Sequence, residues 1–407
     1  MEGSYWRLVL VVCVGLALVP SRSGESVGGG SSVTPHGHLQ PIGNQVPPVG
    51  MVEVLQDVPH PRDFYHKYVK PGKPVVFKDA AKETAAFKLW TDEYLSAQYG
   101  DLEVEVEEGK KENRTWPAYS MPFREFLSTY KSKDIYLVES IEPELRGEFM
   151  LLKNLLCGGF LDYLQDAVMW FSSGGTKSVL HFDAVDNINC LFEGSKELFM
   201  VDRKEYKHID IDHQEGSFSG VDVEKVDLHK YPGLKDVPWY NATMEAGDCL
   251  FIPYKWFHHV RSTASDQKRN VAVNIWFAHL YRFDEEDCSK RGDLPDFEPL
   301  SKYKFVATAE QIRSMLLEAF ELEERESIST EDLEHVTIDI DSSDEVDMSY
   351  KLDIFETLDL NKDFVVTVDE VYQVPTEHLV ELFPDFSPDG PLGDNEDENE
   401  PHGHDEF

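Results

Sequence analysis

What most constrains this chain is the length of its apolar runs. Between residues 51 and 283 they come as short pieces: GKPVVFKDAA, DIYLVES, AVMWFSSGG, HFDAVDNINCLFEG, KELFMVDR, GDCLFIPYKW and RNVAVNIWFAHL. Each holds a few apolar residues bounded by Gly, Pro, Asp, Asn or Ser. Runs of that length suit strands better than core helices, which need about ten residues or more. Helical periodicity is confined to PFREFLSTYK and LLKNLLCGGFLDYL. Many short strands at near-regular spacing, with a few helices beside them, predict a mainly β sandwich or jelly roll.

The flanks read differently. Residues 1–23 carry one basic residue, Arg7, ahead of an apolar run from Leu8 to Pro20, and small residues around Ser23, the pattern of a secretory signal peptide. That run is shorter than the roughly 20 residues of a spanning helix, so no transmembrane segment is expected. Residues 24–50 are rich in Gly, Ser and Pro and read as a flexible leader. The terminal His404-Asp405-Glu406-Phe407 resembles an ER-retrieval signal with Phe in place of the last Leu. Together these predict the endoplasmic reticulum lumen, with secretion as the alternative and a retrieval receptor as partner. Setting Cys13 aside leaves Cys157, Cys190, Cys249 and Cys288, an even number for which three disulfide pairings stay open. Asn113 and Asn241 head N-glycosylation sequons. The net charge of −39 argues against a nucleic-acid or anionic-membrane partner.

In a strand, residues i and i+2 share a face, so His181 and Asp183 converge, with Phe182 opposite. A third ligand is available in AGDCLFIPYKWFHHVRS, which holds His258-His259 after its aromatics. Two histidines and a carboxylate with open positions form the facial triad of non-haem Fe(II) oxygenases. A structural zinc site wants a closed tetrahedral set, usually with thiolates, and these cysteines lack CxxC spacing. Taken singly the signals are ordinary: H-x-D pairs arise by chance, lone histidines are mostly structural, and Lys196 alone reads as a strand end.

SVLHFD, NINCLFEGSKELFMVD, GDCLFIPYKWFHHV and VAVNIWF, in that order, resemble the cupin-like JmjC hydroxylases over roughly residues 51–285. The resemblance implies a double-stranded β-helix with flanking helices, and Fe(II)- and 2-oxoglutarate-dependent hydroxylation of a protein side chain. It makes His181, Asp183 and His258 the iron ligands, His258 being preferred because the family ligand follows the aromatic pair, here Trp256-Phe257. It matches Lys196 to the lysine that pairs with the distal carboxylate of 2-oxoglutarate, and Ser178 to a hydroxyl on the same carboxylate. Asn187 and Asn274 match polar positions about the co-substrate, and Tyr136 offers a further hydroxyl.

After Asp287 the chain becomes acidic and helical, in ATAEQIRSMLLEAFELEE and MSYKLDIFETLD. DLNKDFVVTVDE, residues 359–370, fits an EF-hand loop: Asp359, Asn361 and Asp363 at positions 1, 3 and 5, the Val365 carbonyl at 7 and Glu370 at 12. Phe364 stands where the turn wants Gly, so either it adopts a positive φ or the loop distorts. ELEERESISTED, residues 321–332, has Ile328 at the aliphatic position and Asp332 at the end, as in a degenerate partner loop. The expected organisation is a signal over 1–23, a leader to 50, a JmjC/cupin-like domain over 51–287, an EF-hand-like module over 300–383 and an acidic tail over 384–407. The leading expectation is an ER-lumenal protein hydroxylase using Fe(II) and 2-oxoglutarate, with Ca2+ at the loop. The alternative is a non-catalytic cupin-fold ER scaffold or calcium-binding protein. The signal peptide, the tail and the acidic surface all argue against a histone demethylase.

Overall fold

The apolar runs fold into two facing sheets. The computed structural model describes residues 34–110, 118–209, 217–305, 307–322, 325–333 and 348–382. The signal-like segment, Asn113 and the HDEF terminus lie outside the described residues. The chain divides into two compact units, the first running to Ala307 and the second beginning at Thr308.

The first unit is mainly β, and its sheets have the arrangement of a jelly roll. One sheet has nine strands in the order Glu53–Leu55, Val75–Phe77, Cys249–Ile252, Asp186–Glu193, Asn270–Phe277, Leu164–Ser172, Ile135–Ser140, Glu103–Glu108 and Tyr119–Pro122. A second has four, in the order Gly50–Met51, Tyr240–Glu245, Ser195–Val201 and Phe257–Thr263, and a small two-stranded sheet pairs Met150–Leu152 with Phe297–Pro299. Most neighbours are antiparallel, and Asp186–Glu193 and Ser195–Val201, consecutive in sequence, belong to opposite sheets.

Alternation along these strands sorts the side chains into three layers. Leu191, Leu198, Met200, Ala242, Leu250 and Ala272 are buried together in one cluster. A larger cluster joins the large sheet's other face to the helices, led by Phe64, Phe77, Phe123, Phe126, Phe171 and Phe251. Each fully buried Phe contributes about 2–3 kcal/mol of transfer free energy, so this layer dominates the burial. A third cluster, with Phe199, Val221, Leu234 and Trp239, covers the small sheet.

Several expectations change. Residues 34–50, read from composition as a flexible leader, are packed: Ile42 joins the third cluster, and Leu39 and Ile42 N–H groups donate to the Val226 and Val223 carbonyls at 2.7 and 2.8 Å. LLKNLLCGGFLDYL is not one helix. It is the strand Met150–Leu152, a 3-10 turn at Lys153–Leu155 and another at Phe160–Tyr163. Gly158 and Gly159, with φ of +84° and +92°, break it, and a Cβ on Gly158 would meet the Phe283 ring at 2.0 Å. His181 and Asp183 precede the regular strand, which starts at Asp186, and His181 makes isolated bridges to Phe218 and His258. The cysteines form two disulfides, Cys157–Cys288 and Cys190–Cys249, the second joining paired strands. No helix among the described residues is long and apolar enough to cross a membrane.

The second unit contains helices Ala307–Leu322, Met348–Leu358, Val368–Gln373 and Thr376–Leu382. Short strands Ser327–Ser329 and Val365–Thr367 pair antiparallel, with Ile328 opposite Val366. Ile312, Leu316, Phe320, Ile354, Phe355 and Val371 are buried. Buried Arg313 donates to the Val371 carbonyl and, at 3.0 Å, to the Val374 carbonyl, satisfying the end of the third helix.

Candidate metal centre

His181 and His258 face each other across a narrow antiparallel pair, each backbone N–H donating to the other's carbonyl at 3.1 and 2.7 Å. Side chains at such a pair leave the sheet together, and the imidazole centroids are 4.3 Å apart. Asp183 completes the set: its Oδ1 lies 3.7 Å from His181 Nε2 and its Oδ2 lies 3.7 Å from His258 Nε2. Two ligands each about 2.1 Å from one ion can stand up to about 4.2 Å apart, so these separations admit a single metal.

Both rings are turned for ligation. His181 Nδ1 is 3.0 Å from the Val179 carbonyl and His258 Nδ1 is 2.9 Å from the Trp256 carbonyl. A carbonyl can only accept, so Nδ1 carries the proton and Nε2 offers its lone pair toward Asp183. Asn187 Nδ2 lies 3.4 Å from Asp183 Oδ2 and braces the carboxylate. His259, adjacent in sequence, points to the strand's other side, where its Nδ1 donates to the Ser178 carbonyl at 2.8 Å and burial lowers its pKa to about 4.

Lys196 is buried between the sheets, its Nζ donating to Ser262 Oγ at 2.9 Å from the residue directly opposite on Phe257–Thr263. No ion pair of Lys196 occurs among the described residues, and burial alone lowers its pKa to about 8. A buried ammonium without an anion is costly, so this cation fits an anionic guest. Asn189 Nδ2 donates to Asn274 Oδ1 directly across the Asp186–Glu193 and Asn270–Phe277 pair. Asn187 Oδ1 and Asn189 Oδ1 are buried with no partner among the described residues, further polar positions open to a guest.

The remaining sequence candidates fall elsewhere. The Ser178 hydroxyl donates to the Val179 carbonyl and accepts from Val260 N–H, both at 2.9 Å, so its hydrogen bonds go to backbone and not to Lys196. The Tyr136 hydroxyl donates to Glu107. Asn241 is partly buried on Tyr240–Glu245, its Nδ2 3.3 Å from Glu197 Oε1. Sequence reasoning missed Ser262 and Asn189. Asn189 had a signal, since it sits two residues after Asn187 on the same strand face; Ser262 had none without the register.

In the loop at residues 359–370, Asp359 accepts from the N–H groups of Asp363 and Phe364 at 3.2 and 2.9 Å. Glu370 Oε2 accepts from Thr367 N–H and hydroxyl at 2.9 and 2.8 Å, while Asn361 N–H donates to its Oε1 at 3.3 Å. Phe364 does take a positive φ, +66°, and the residue is 69% exposed. The Val365 N–H donates to Asp363 Oδ1 at 3.0 Å. In the neighbouring segment, Asp332 accepts from Ser329 N–H at 2.9 Å and pairs with Arg325.

Among the described residues, only two groups of three or more His, Cys, Asp or Glu side chains bring their ligand atoms within 4.8 Å of one another. One is His181, Asp183 and His258; the other is His60 with the disulfide-bonded Cys157 and Cys288.

Comparison with known proteins agrees with this architecture. A family model described as a cupin-like domain matches residues 61–283, more than half of the chain. The chain is 26% identical over 240 residues to Jumonji C domain-containing protein 5 of Drosophila melanogaster, covering 54% of this chain and 58% of that protein. It is 29% identical over 233 residues to Lysine-specific demethylase 8 of Xenopus tropicalis, covering 53% and 50% respectively. Against the Bifunctional peptidase and (3S)-lysyl hydroxylase JMJD7 of Homo sapiens the identity is 25% over 272 residues, 56% of this chain and 85% of that one. The chain thus spans only about half the length of the first two relatives.

Proposed function

We propose a function from one premise: the chain belongs to the cupin-like domain family. On this reading it is an Fe(II)- and 2-oxoglutarate-dependent oxygenase that hydroxylates a protein side chain in the lumen of the endoplasmic reticulum. The observation that carries the proposal is the conjunction of two inward-turned Nε2 atoms about Asp183 with a buried Lys196 that has no ion pair among the described residues.

His181, Asp183 and His258 would hold the iron, and Lys196 with Ser262 would hold the distal carboxylate of 2-oxoglutarate. Bound together, the metal and co-substrate supply dioxygen activation coupled to oxidative decarboxylation to succinate. The chain's own contribution is placement. The Val179 and Trp256 carbonyls keep both imidazole Nδ1 atoms protonated, Asn187 orients the Asp183 carboxylate, and the apolar layer around Leu198, Met200 and Leu250 keeps water from the Lys196 ammonium. Asn187, Asn189 and Asn274 offer amides to the co-substrate's remaining oxygens; Ser178 and Tyr136 act, on this reading, through the backbone and Glu107 that they bind.

A protein substrate is supported by relatives named as a lysyl hydroxylase and a lysine-specific demethylase. The lumen is supported by the use of Cys157, Cys190, Cys249 and Cys288 in two disulfides, which persist in oxidising compartments. Loop 359–370 is assigned a calcium ion, supported by the inward turn of Asp359 and Glu370.

The test is 2-oxoglutarate turnover by the iron-loaded protein, read as succinate and as oxygen added to proteins of an ER extract. Succinate above background, absent in Asp183→Ala, is the expected result. Iron binding with no turnover in the presence of such an extract would favour the scaffold reading.

A further inference from the structure

The turn that delivers His258 is held by groups that take no part in ligation. At residues 253–256 the Trp256 N–H donates to the Pro253 carbonyl at 3.1 Å, and Lys255 takes a φ of +58°, a conformation side chains adopt reluctantly. Lys255 N–H donates to the Asp183 carbonyl at 2.9 Å, and the Trp256 carbonyl receives His258 Nδ1. The orientation of the His258 ring therefore follows from where this turn sits.

Asp186 anchors the turn. Its Oδ1 accepts Tyr254 N–H at 2.8 Å, and its Oδ2 is 2.7 Å from His279 Nδ1. Both side chains are buried, and the Tyr254 ring stacks on the His279 ring at 5.0 Å and 21°. A buried carboxylate is tolerated when both oxygens are hydrogen-bonded, as here. Asp186 lies three residues after Asp183, and His279 lies two beyond the end of the strand Asn270–Phe277. The dyad thus ties together the H-x-D segment, the turn before His258 and the exit of a central strand.

We propose that Asp186 and His279 are positioning residues for the metal centre, holding the Tyr254–Trp256 turn so that the Trp256 carbonyl orients His258 for ligation. The inference rests on the iron reading of His181, Asp183 and His258 and deepens it. A pair that merely satisfied itself in the core would lower stability when removed and leave metal affinity alone. A positioning pair changes the affinity and the ligand field as well.

The experiment uses the full chain stripped of metal and titrated with Co(II), followed by its visible absorption, with thermal melting in parallel. Wild type is read first: failure of wild type to bind, or binding indifferent to His181→Ala, overturns the metal reading itself. Given wild-type binding, Asp186→Ala weakens Co(II) affinity about 10–100-fold and shifts the absorption band, in the range known for outer partners of ligands. Asp186→Asn, which keeps an acceptor for Tyr254 N–H, recovers most of that loss. His279→Ala loses about tenfold and decides the matter if Asp186→Ala does not fold. A folded Asp186→Ala, or in its place a folded His279→Ala, with wild-type affinity and band overturns the inference, whatever its melting temperature.

Discussion

The candidate metal centre between the sheets and the acidic loop at residues 359–370 each gather oxygen or nitrogen ligands, but they orient them in opposite ways. Around His181, Asp183 and His258 the backbone spends its carbonyls on the Nδ1 atoms and leaves the Nε2 lone pairs to a guest. In the loop the backbone spends its N–H groups on Asp359, Asp363 and Glu370, so the prospective ligand oxygens are held in place by the loop's own hydrogen bonds. The first arrangement is half-buried to buried and fixed by backbone carbonyls, and it asks for one geometry. The second sets buried Asp359 and Glu370 beside exposed Asn361 and Asp363, all held by hydrogen bonds within the loop. Lys196 extends the first pattern, a charge kept in the interior with no ion pair among the described residues.

The sharpest way to break that contrast is at the first site. His181→Ala is expected to cut succinate formation to background, a loss beyond the ~100-fold that an outer partner would cost, with circular dichroism unchanged. Residual turnover within tenfold of wild type would remove His181 from the machinery. Lys196→Met comes next: the KM for 2-oxoglutarate rises roughly 100-fold, because the co-substrate carboxylate loses its buried counter-ion, while the melting temperature rises. The unfolded chain keeps the Lys196 proton up to about pH 10.4, and the folded one only to about 8. Its burial therefore costs on the order of 3 kcal/mol below pH 8, a penalty that fades as pH climbs through that window. In wild type, 2-oxoglutarate affinity is accordingly flat below pH 8 and falls above it.

At the second site the effects are smaller and read in stability. Calcium at 100 times its dissociation constant should stabilise the second unit by about 2.7 kcal/mol, seen as a higher melting temperature, and Glu370→Gln should abolish that increment while leaving succinate formation unchanged. An equal calcium shift in the variant would take the ion away from this loop. Smallest is Phe364→Gly. Relief of a left-handed residue gains about 1 kcal/mol in the denaturation midpoint, with calcium affinity altered less than about twofold because the turn is already formed.

How far the chain could be read from its letters follows from the same contrast. The strands were legible because alternation and run length are local, and so was the turn at Phe364, because an EF-hand-like spacing names the position that must go left-handed. That His181, Asp183 and His258 come together was legible from the motifs taken in order and the resemblance they carry, since each signal alone is ordinary. What escaped was the partners, His258 apart, that register sets across distance. Ser262 reaches Lys196 across 66 residues, Asn189 finds Asn274 across 85, and Asp186 finds His279 across 93. LLKNLLCGGFLDYL escaped for a different reason: its apolar spacing suits a helix, but two adjacent glycines beside Phe283 override it. The leader escaped because composition says nothing of the carbonyls at Val223 and Val226 that wait for it.

The two disulfides carry a topological consequence. Cys157–Cys288 closes a loop with a sequence separation of 131 residues, and Cys190–Cys249, with a separation of 59, lies wholly inside it. All three candidate iron ligands and Lys196 fall within the outer ring, and Lys196 falls within the inner one as well. One peptide-bond cut anywhere between Cys157 and Cys288 therefore leaves His181, Asp183 and His258 on covalently joined pieces. Under non-reducing conditions a nicked barrel should still travel as a single species on a gel, and only a reductant should part its fragments.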